Sequence, residues 1–246
     1  MVPEVFGEGK LPEGFAGKVL AGVPALGWGR RMEGTFAGAL ASALAATEHP
    51  YSYTALMGLS GLALRVRWYH GHTGQRWCPS SPVGELPEET AAIEAATGWR
   101  FRQEWHGSDP KMGRFAPDVA AAIDGGKAVL VYGADLNVGV AYGYDDGGKR
   151  VLMWDYGKGD EPAHVPLSKL GPMLIFLDGH VKPPNRRHAI LAALRIAVSN
   201  WFREPLQWEK GQYHYGQAAL AAWADDIDRA DTFDDEERAA MFHPHW

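Results

Sequence analysis

The stretch WYHGHTGQRWCPSSPVG, residues 68 to 84, gathers the only thiol of the chain, Cys78, with two histidines, His70 and His72, and two tryptophans, Trp68 and Trp77. Glycines and prolines throughout mark it as a loop. Two chemistries are open to it. As metal ligands, His70, His72 and Cys78 supply three donors and leave a fourth position open; loop packing accounts for the same residues without a metal, and no metal is expected. As a nucleophile, Cys78 needs a base and an electropositive setting to lower its pKa, and Pro79 directly after it argues against a helix starting there to stabilise a thiolate.

A second stretch, GRRMEGTFAGALASALAAT, residues 29 to 47, places a carboxylate, Glu33, two residues ahead of a hydroxyl, Thr35, at the start of a run of small apolar residues. Thr35 suits a helix N-cap. Glu33 can serve as a general base if a cleft desolvates it, or as an acid favoured beside a positive helix end. Arg30 and Arg31 can clamp an anion or pair with Glu33. Near the C-terminus, Tyr213, His214 and Tyr215 precede a helix and supply a distant imidazole, or a structural aromatic cap.

These residues need a scaffold, and the composition provides one. The chain has 246 residues, of which 46% are hydrophobic and 11% aromatic, enough for a core without disulfides. A net charge of -6, drawn largely from ADDIDRADTFDDEERAA, leaves no basic face for a phosphate backbone. Nucleic acid is not an expected partner. No apolar run reaches the roughly 20 residues of a membrane span, the N-terminus has no secretory pattern, and a single cysteine excludes an intramolecular disulfide. A cytoplasmic protein is expected.

The elements follow from periodicity and punctuation. KVLAGVPALGW (18 to 28) reads as a buried strand or extended segment, and Thr35 to Thr47 as a close-packed interior helix. A short helix is expected in YSYTALMGLSG (51 to 61), a strand in LALRVRW (62 to 68), and helices in PEETAAIEAATG (87 to 98) and APDVAAAIDGG (116 to 126), each with proline early and glycine at its end. WRFRQEW, KAVLVYG and PMLIFLDG read as strands, and DDGG turns a hairpin inside NVGVAYGYDDGGKRVLMWDYG (137 to 157). After the linker HVKPPNRR, RRHAILAALRIAVSNWF sets Ile190, Ala193, Ile196, Ala197 and Trp201 on one helix face, and GQAALAAWADDI forms another amphipathic helix. The expectation is one α+β domain over 1–246: helix-rich from 18 to 126, sheet-rich from 127 to 180, N-terminal helices packed on an antiparallel sheet, and a C-terminal helical extension over 185–246. The extension is expected to pack back on the rest, since about 60 residues of helix make a thin core alone.

TFAGALASAL resembles the C-G-P-A-A-L-A-M-V-L helix that opens papain-like domains of the bacteriocin-processing peptidase kind, and NVGVAYGYDDGGKRVLMWD resembles their H-F-V-V-V-x-G-Y … D-P hairpin. Over residues 18 to 226 the order of motifs is similar to that of bacterial proteins related to the N-terminal domain of the butirosin biosynthesis acyltransferase. The resemblance implies a papain-like fold. It also implies that Thr35 stands where the family has its nucleophilic cysteine, Asn137 where it has its histidine, and Asp155 where it has the residue that orients the histidine. A thiolate at a helix N-terminus is stabilised by the dipole and an imidazolium; a threonine hydroxyl gains too little there to ionise, and an asparagine amide cannot take its proton.

Three readings follow. In the first, the domain is catalytically degenerate and keeps a cleft for a small molecule or peptide, lined by Arg31, Trp77, Tyr142 and His214, with no cofactor. In the second, an acyltransferase or amide hydrolase of secondary metabolism works from a rearranged centre drawn from Glu33, Thr35, Cys78, Asp155 and His214. In the third, the aromatic loop and acidic tail dock a protein partner or a second copy.

Overall fold

The computed structural model describes residues 11–29, 32–70, 87–105, 110–133, 137–158, 161–208 and 211–235. In chain order its elements are β1 (Lys18–Val19), α1 (Thr35–Ala45), α2 (Tyr53–Leu59), β2 (Arg67–His70), α3 (Pro87–Thr97), β3 (Trp99–Trp105), α4 (Ala116–Asp124) and β4 (Val129–Tyr132). There follow β5 (Val138–Asp145), β6 (Arg150–Trp154), β7 (Ala163–Pro166), β8 (Met173–His180), α5 (Arg186–Trp201), β9 (Leu206–Trp208), β10 (Gly211–Tyr215) and α6 (Gly216–Asp228). The fold is α+β. Its strand pairs are antiparallel. The chain divides into two compact units, Met1–Leu56 with Thr97–Pro183 and Met57–Ala96 with Pro184–Trp246, so the C-terminal helices group with the segment around β2.

The first unit is built on a seven-stranded sheet in the order β3-β8-β4-β5-β6-β7, with β1 added on β5. The β5–β6 hairpin turns at Asp146–Gly148, where φ is positive at three successive residues, Asp146, Gly147 and Gly148. Aspartate and glycine are the residues that adopt this at least strain, which is why DDGG specifies the turn. Alternation then sorts the strands. Val129, Val131, Ala141, Val151, Leu174 and Phe176 point to one face and pack with Ala116, Val119 and Ile123 of α4. Their neighbours Leu130, Tyr132, Val138, Val140, Trp154 and Ile175 are buried on the other face. Helix α1 touches β4 and β5 without joining the α4 cluster, so it covers that second face.

Helix α1 is buried from Thr35 through Leu44, as expected of a helix that is apolar all round. Its small residues allow close approach, and Ser42 Oγ donates to the carbonyl of Pro24, which fixes the extended segment Val23–Leu26 beside the helix. The Trp154 indole donates to the Val23 carbonyl at 3.0 Å and ties the same segment to β6. A bulge in β5 completes this face: Ala141 pairs with Met153 and Gly143 with Leu152, which leaves Tyr142 out of register and stacked on Trp154 with ring centroids 5.0 Å apart.

The second unit carries a three-stranded sheet, β2-β10-β9, with α5 and α6. Tyr69, Tyr213 and Tyr215 form one small buried cluster, with the Arg67 guanidinium 4.4 Å over the Tyr213 ring. Trp68 packs with Ala219 of α6 in another, and its indole donates to Asp226 at 2.7 Å.

Two expectations need correction. The strand expected from residue 62 starts only at Arg67, because Gly61 at φ +81 turns the chain and Leu62–Leu64 form a 3-10 turn whose first N–H is taken by Ser60 Oγ. On α5 the buried residues are Ala189, Ala193 and Asn200: of the expected apolar face Ala193 is buried and Ile196 and Ala197 are half-buried, whereas Ile190 and Trp201 are exposed. Among the described residues, no helix is long and apolar enough to cross a membrane.

Candidate functional site

The N-terminus of α1 gathers most of the polar groups singled out in the first unit. Thr35 is the first helical residue, and the N-cap is Gly34, in extended conformation with no side-chain cap. This corrects the expectation that Thr35 caps the helix. The cap position belongs to glycine because its N–H is drawn to the Tyr53 hydroxyl at 2.9 Å, which sets the chain direction one residue earlier. Thr35 is consequently turned inward, fully buried, and its Oγ1 has no hydrogen-bond partner among the described residues. A buried hydroxyl in that state is held at a net loss of about 1–3 kcal/mol.

Glu33 is half-buried just ahead of the cap, and its carboxylate accepts the Gly29 N–H at 2.9 Å. Burial pushes the Tyr53 phenol above its ordinary pKa; the nearby Glu33 carboxylate adds to this and the Gly34 N–H opposes it. The phenol is therefore neutral at physiological pH, able to donate a proton in a hydrogen bond but not to act as a base.

Asn137 and Asp155 lie at one end of the β5–β6 pair. Asn137 immediately precedes β5, half-buried, and its carbonyl accepts the Gly133 N–H at 2.7 Å. Val140 pairs with Trp154, so Asp155, one residue beyond, falls at the same end. Its Oδ1 accepts the Gly157 N–H at 2.8 Å and closes a turn. Tyr156 connects this end to α1: buried, it donates its hydroxyl to the Met32 carbonyl at 2.7 Å and packs its ring on Trp28. Neither Tyr53 nor Tyr156 was distinguishable in the sequence. Each sits in a short aromatic stretch, YSY or DYG, like many that only pack.

Tyr142 is buried on the same sheet face, and burial holds its phenol far above the ordinary tyrosine range, so it stays protonated. His214 belongs to the second unit, where it sits half-buried on β10 opposite Trp68. Arg30, Arg31, His72, Trp77 and Cys78 lie outside the described residues. Among the described residues, no three His, Cys, Asp or Glu side chains gather as a metal-binding group.

The described polar groups tied to this helix end are the Thr35 alcohol, the Tyr53 and Tyr156 phenols and the Glu33 carboxylate, with the Asp155 carboxylate next to Tyr156 in the chain. They can bind and orient by hydrogen bonds. Among the described residues, no base is hydrogen-bonded to the Thr35 hydroxyl to activate it. Comparison of the chain with protein-family models, curated proteins and solved structures finds no match.

Proposed function

We propose that the first unit is a catalytically degenerate papain-like domain, with Thr35, Asn137 and Asp155 in the three reactive positions, that binds a small molecule or peptide at the N-terminus of α1. The observation that carries this reading is the buried, unpartnered hydroxyl of Thr35 on the first turn of a helix covered by the sheet that bears Asn137 and Asp155. A solitary cysteine is compatible with a cytoplasmic setting.

Thr35→Val tests it, because it removes the hydroxyl and keeps the shape. If the hydroxyl is an unpartnered relic, the variant is more stable by about 1 kcal/mol, which raises the melting temperature by about 2–4 °C, and turnover of a p-nitrophenyl ester and of an acyl thioester stays at the wild-type background. An acyl group on Thr35 in the intact-mass spectrum of acid-quenched protein, or ester turnover that disappears in the variant, defeats the reading in favour of a rearranged acyltransferase or hydrolase.

A second reading, docking of a protein partner or of a second copy, is favoured by α5. Leu191, Leu194, Val198 and Trp201 are all exposed at spacings of three, four and three residues, with Phe202 72% exposed beside them. Sedimentation velocity reads it: association that Val198→Lys abolishes supports it, and a wild-type chain that stays monomeric at high micromolar concentration removes the second-copy form.

A further inference from the structure

A different part of the first unit carries an assembled recess. Two segments far apart in the sequence, His49-Pro50-Tyr51 and His180 with Lys182 and Pro183, line it together. In both, a proline follows a cationic or titratable residue, and proline keeps the residue before it extended.

Hydrogen bonds from one short stretch, Thr97–Trp99, join the two segments. The Thr97 carbonyl accepts from the Tyr51 hydroxyl at 3.3 Å and lies 3.1 Å from His180 Nε2. The Gly98 carbonyl accepts the Val181 N–H at 2.8 Å, and the Trp99 indole donates to the His49 carbonyl at 3.1 Å. Gly98 stands at φ +79 with the Val181 carbonyl where a Cβ would be, so only glycine lets the strands approach so closely.

The outcome is a stack of imidazoles. The His49 and His180 rings lie 3.7 Å apart at 16°, and the buried Trp99 indole meets both edge-on. A carbonyl can only accept, so His180 Nε2 carries a proton and its Nδ1 is the ring nitrogen left for another partner. Beside the stack stand the Lys182 ammonium and the Tyr51 phenol, whose pKa burial raises so that it remains a neutral donor. No carboxylate is among the described residues lining the recess, and Asp178, on the strand that leads into it, is paired with Arg102. The cavity is about 440 Å³, within the range of small-molecule sites.

We infer that this recess binds a small molecule through an oxyanion, a carboxylate or phosphate group held by Lys182 and an imidazole N–H of His49, whose ring is stacked on His180. An anion is the ligand this lining suits, since the Lys182 ammonium stands beside an imidazole donor and no carboxylate is among the described residues of the lining to neutralise it. The site is separate from the one at Thr35. His49 follows the C-terminal end of α1 whereas Thr35 begins the helix, and 11 residues of helix span about 16 Å.

Histidine-selective proton–nitrogen NMR of the full chain tests it, with inorganic phosphate and acetate titrated separately at constant ionic strength. The expected result is saturable movement of the His49 and His180 ring resonances with one of the two anions, which names the group, while His164 and His188 stay still. Lys182→Ala is expected to weaken binding by about tenfold, equivalent to 1.4 kcal/mol, and His49→Phe, which keeps the stacking surface, to weaken it as well. Lys182 is exposed, so its replacement does not threaten the fold. Shifts that never saturate, shifts shared by all histidines, or an affinity unchanged by Lys182→Ala would each overturn the inference.

Discussion

Gly38→Ala is expected to destabilise the first unit, although alanine in a helix interior normally gains about 1 kcal/mol over glycine. Gly38 lies one turn into α1, and a Cβ there would fall on the Tyr156 hydroxyl and within 3.3 Å of Met32 atoms. The helix cannot move away, since it is buried from Thr35 to Leu44. Tyr156 must swing out instead, giving up its hydrogen bond to the Met32 carbonyl and its contact with Trp28. Overpacking of a core costs about 1–3 kcal/mol and a lost buried hydrogen bond about 1 kcal/mol more, so a net loss of about 1–3 kcal/mol in chemical denaturation is expected once the propensity gain is subtracted. The double variant with Tyr156→Phe is diagnostic. Removing the hydroxyl that the new methyl meets should make the pair less damaging than the sum of the singles. Strict additivity, or a stabilised Gly38→Ala protein, would contradict the packing described around α1.

In the second unit the comparable effect belongs to Asp226→Ala. This carboxylate is 5% exposed, accepts from the buried Trp68 indole at 2.7 Å, and receives Arg229 at 2.9 Å on its other oxygen. Arg229 keeps Asp225 as an alternative partner at 3.0 Å, so the charge lost matters less than the indole N–H left unsatisfied. That group, together with the space vacated beneath it, accounts for a loss of about 2–3 kcal/mol. Asp226→Asn should recover most of it, because an amide oxygen still accepts from the indole. Hydrogen exchange resolves the effect locally: protection should fall in β2 and β10, which hold Trp68 and pack on α6, and not in β4 and β5. Equal damage from alanine and asparagine would show that charge, and not the acceptor, is what Trp68 requires.

Most elements could be read from local pattern. Proline-first, glycine-last punctuation placed α3 and α4 to within a residue or two, and DDGG fixed the β5–β6 hairpin through its three positive-φ residues. Strand β7, AHVP, went unread because four half-buried residues ending in proline carry no alternation. On α5 the periodicity placed Ala193 on the buried face, but it also chose Ile190 and Trp201, which are exposed, and missed Ala189 and Asn200. A hydrophobic stripe shows that a face exists, but which residues it buries depends on how close the neighbour comes.

The amino-acid sequence by itself determined most of the elements, their α+β order and the interior character of α1, because backbone preference and burial of apolar residues act over a few residues. The tertiary structure alone decided that Gly34 caps the helix, that Thr35 is left without a partner, that Tyr53 and Tyr156 fix its surroundings, and that His49 meets His180 across 131 positions of chain. Those relations depend on which surfaces the sheet brings within a few ångströms, and distance in space leaves no trace in the spacing of residues along a chain.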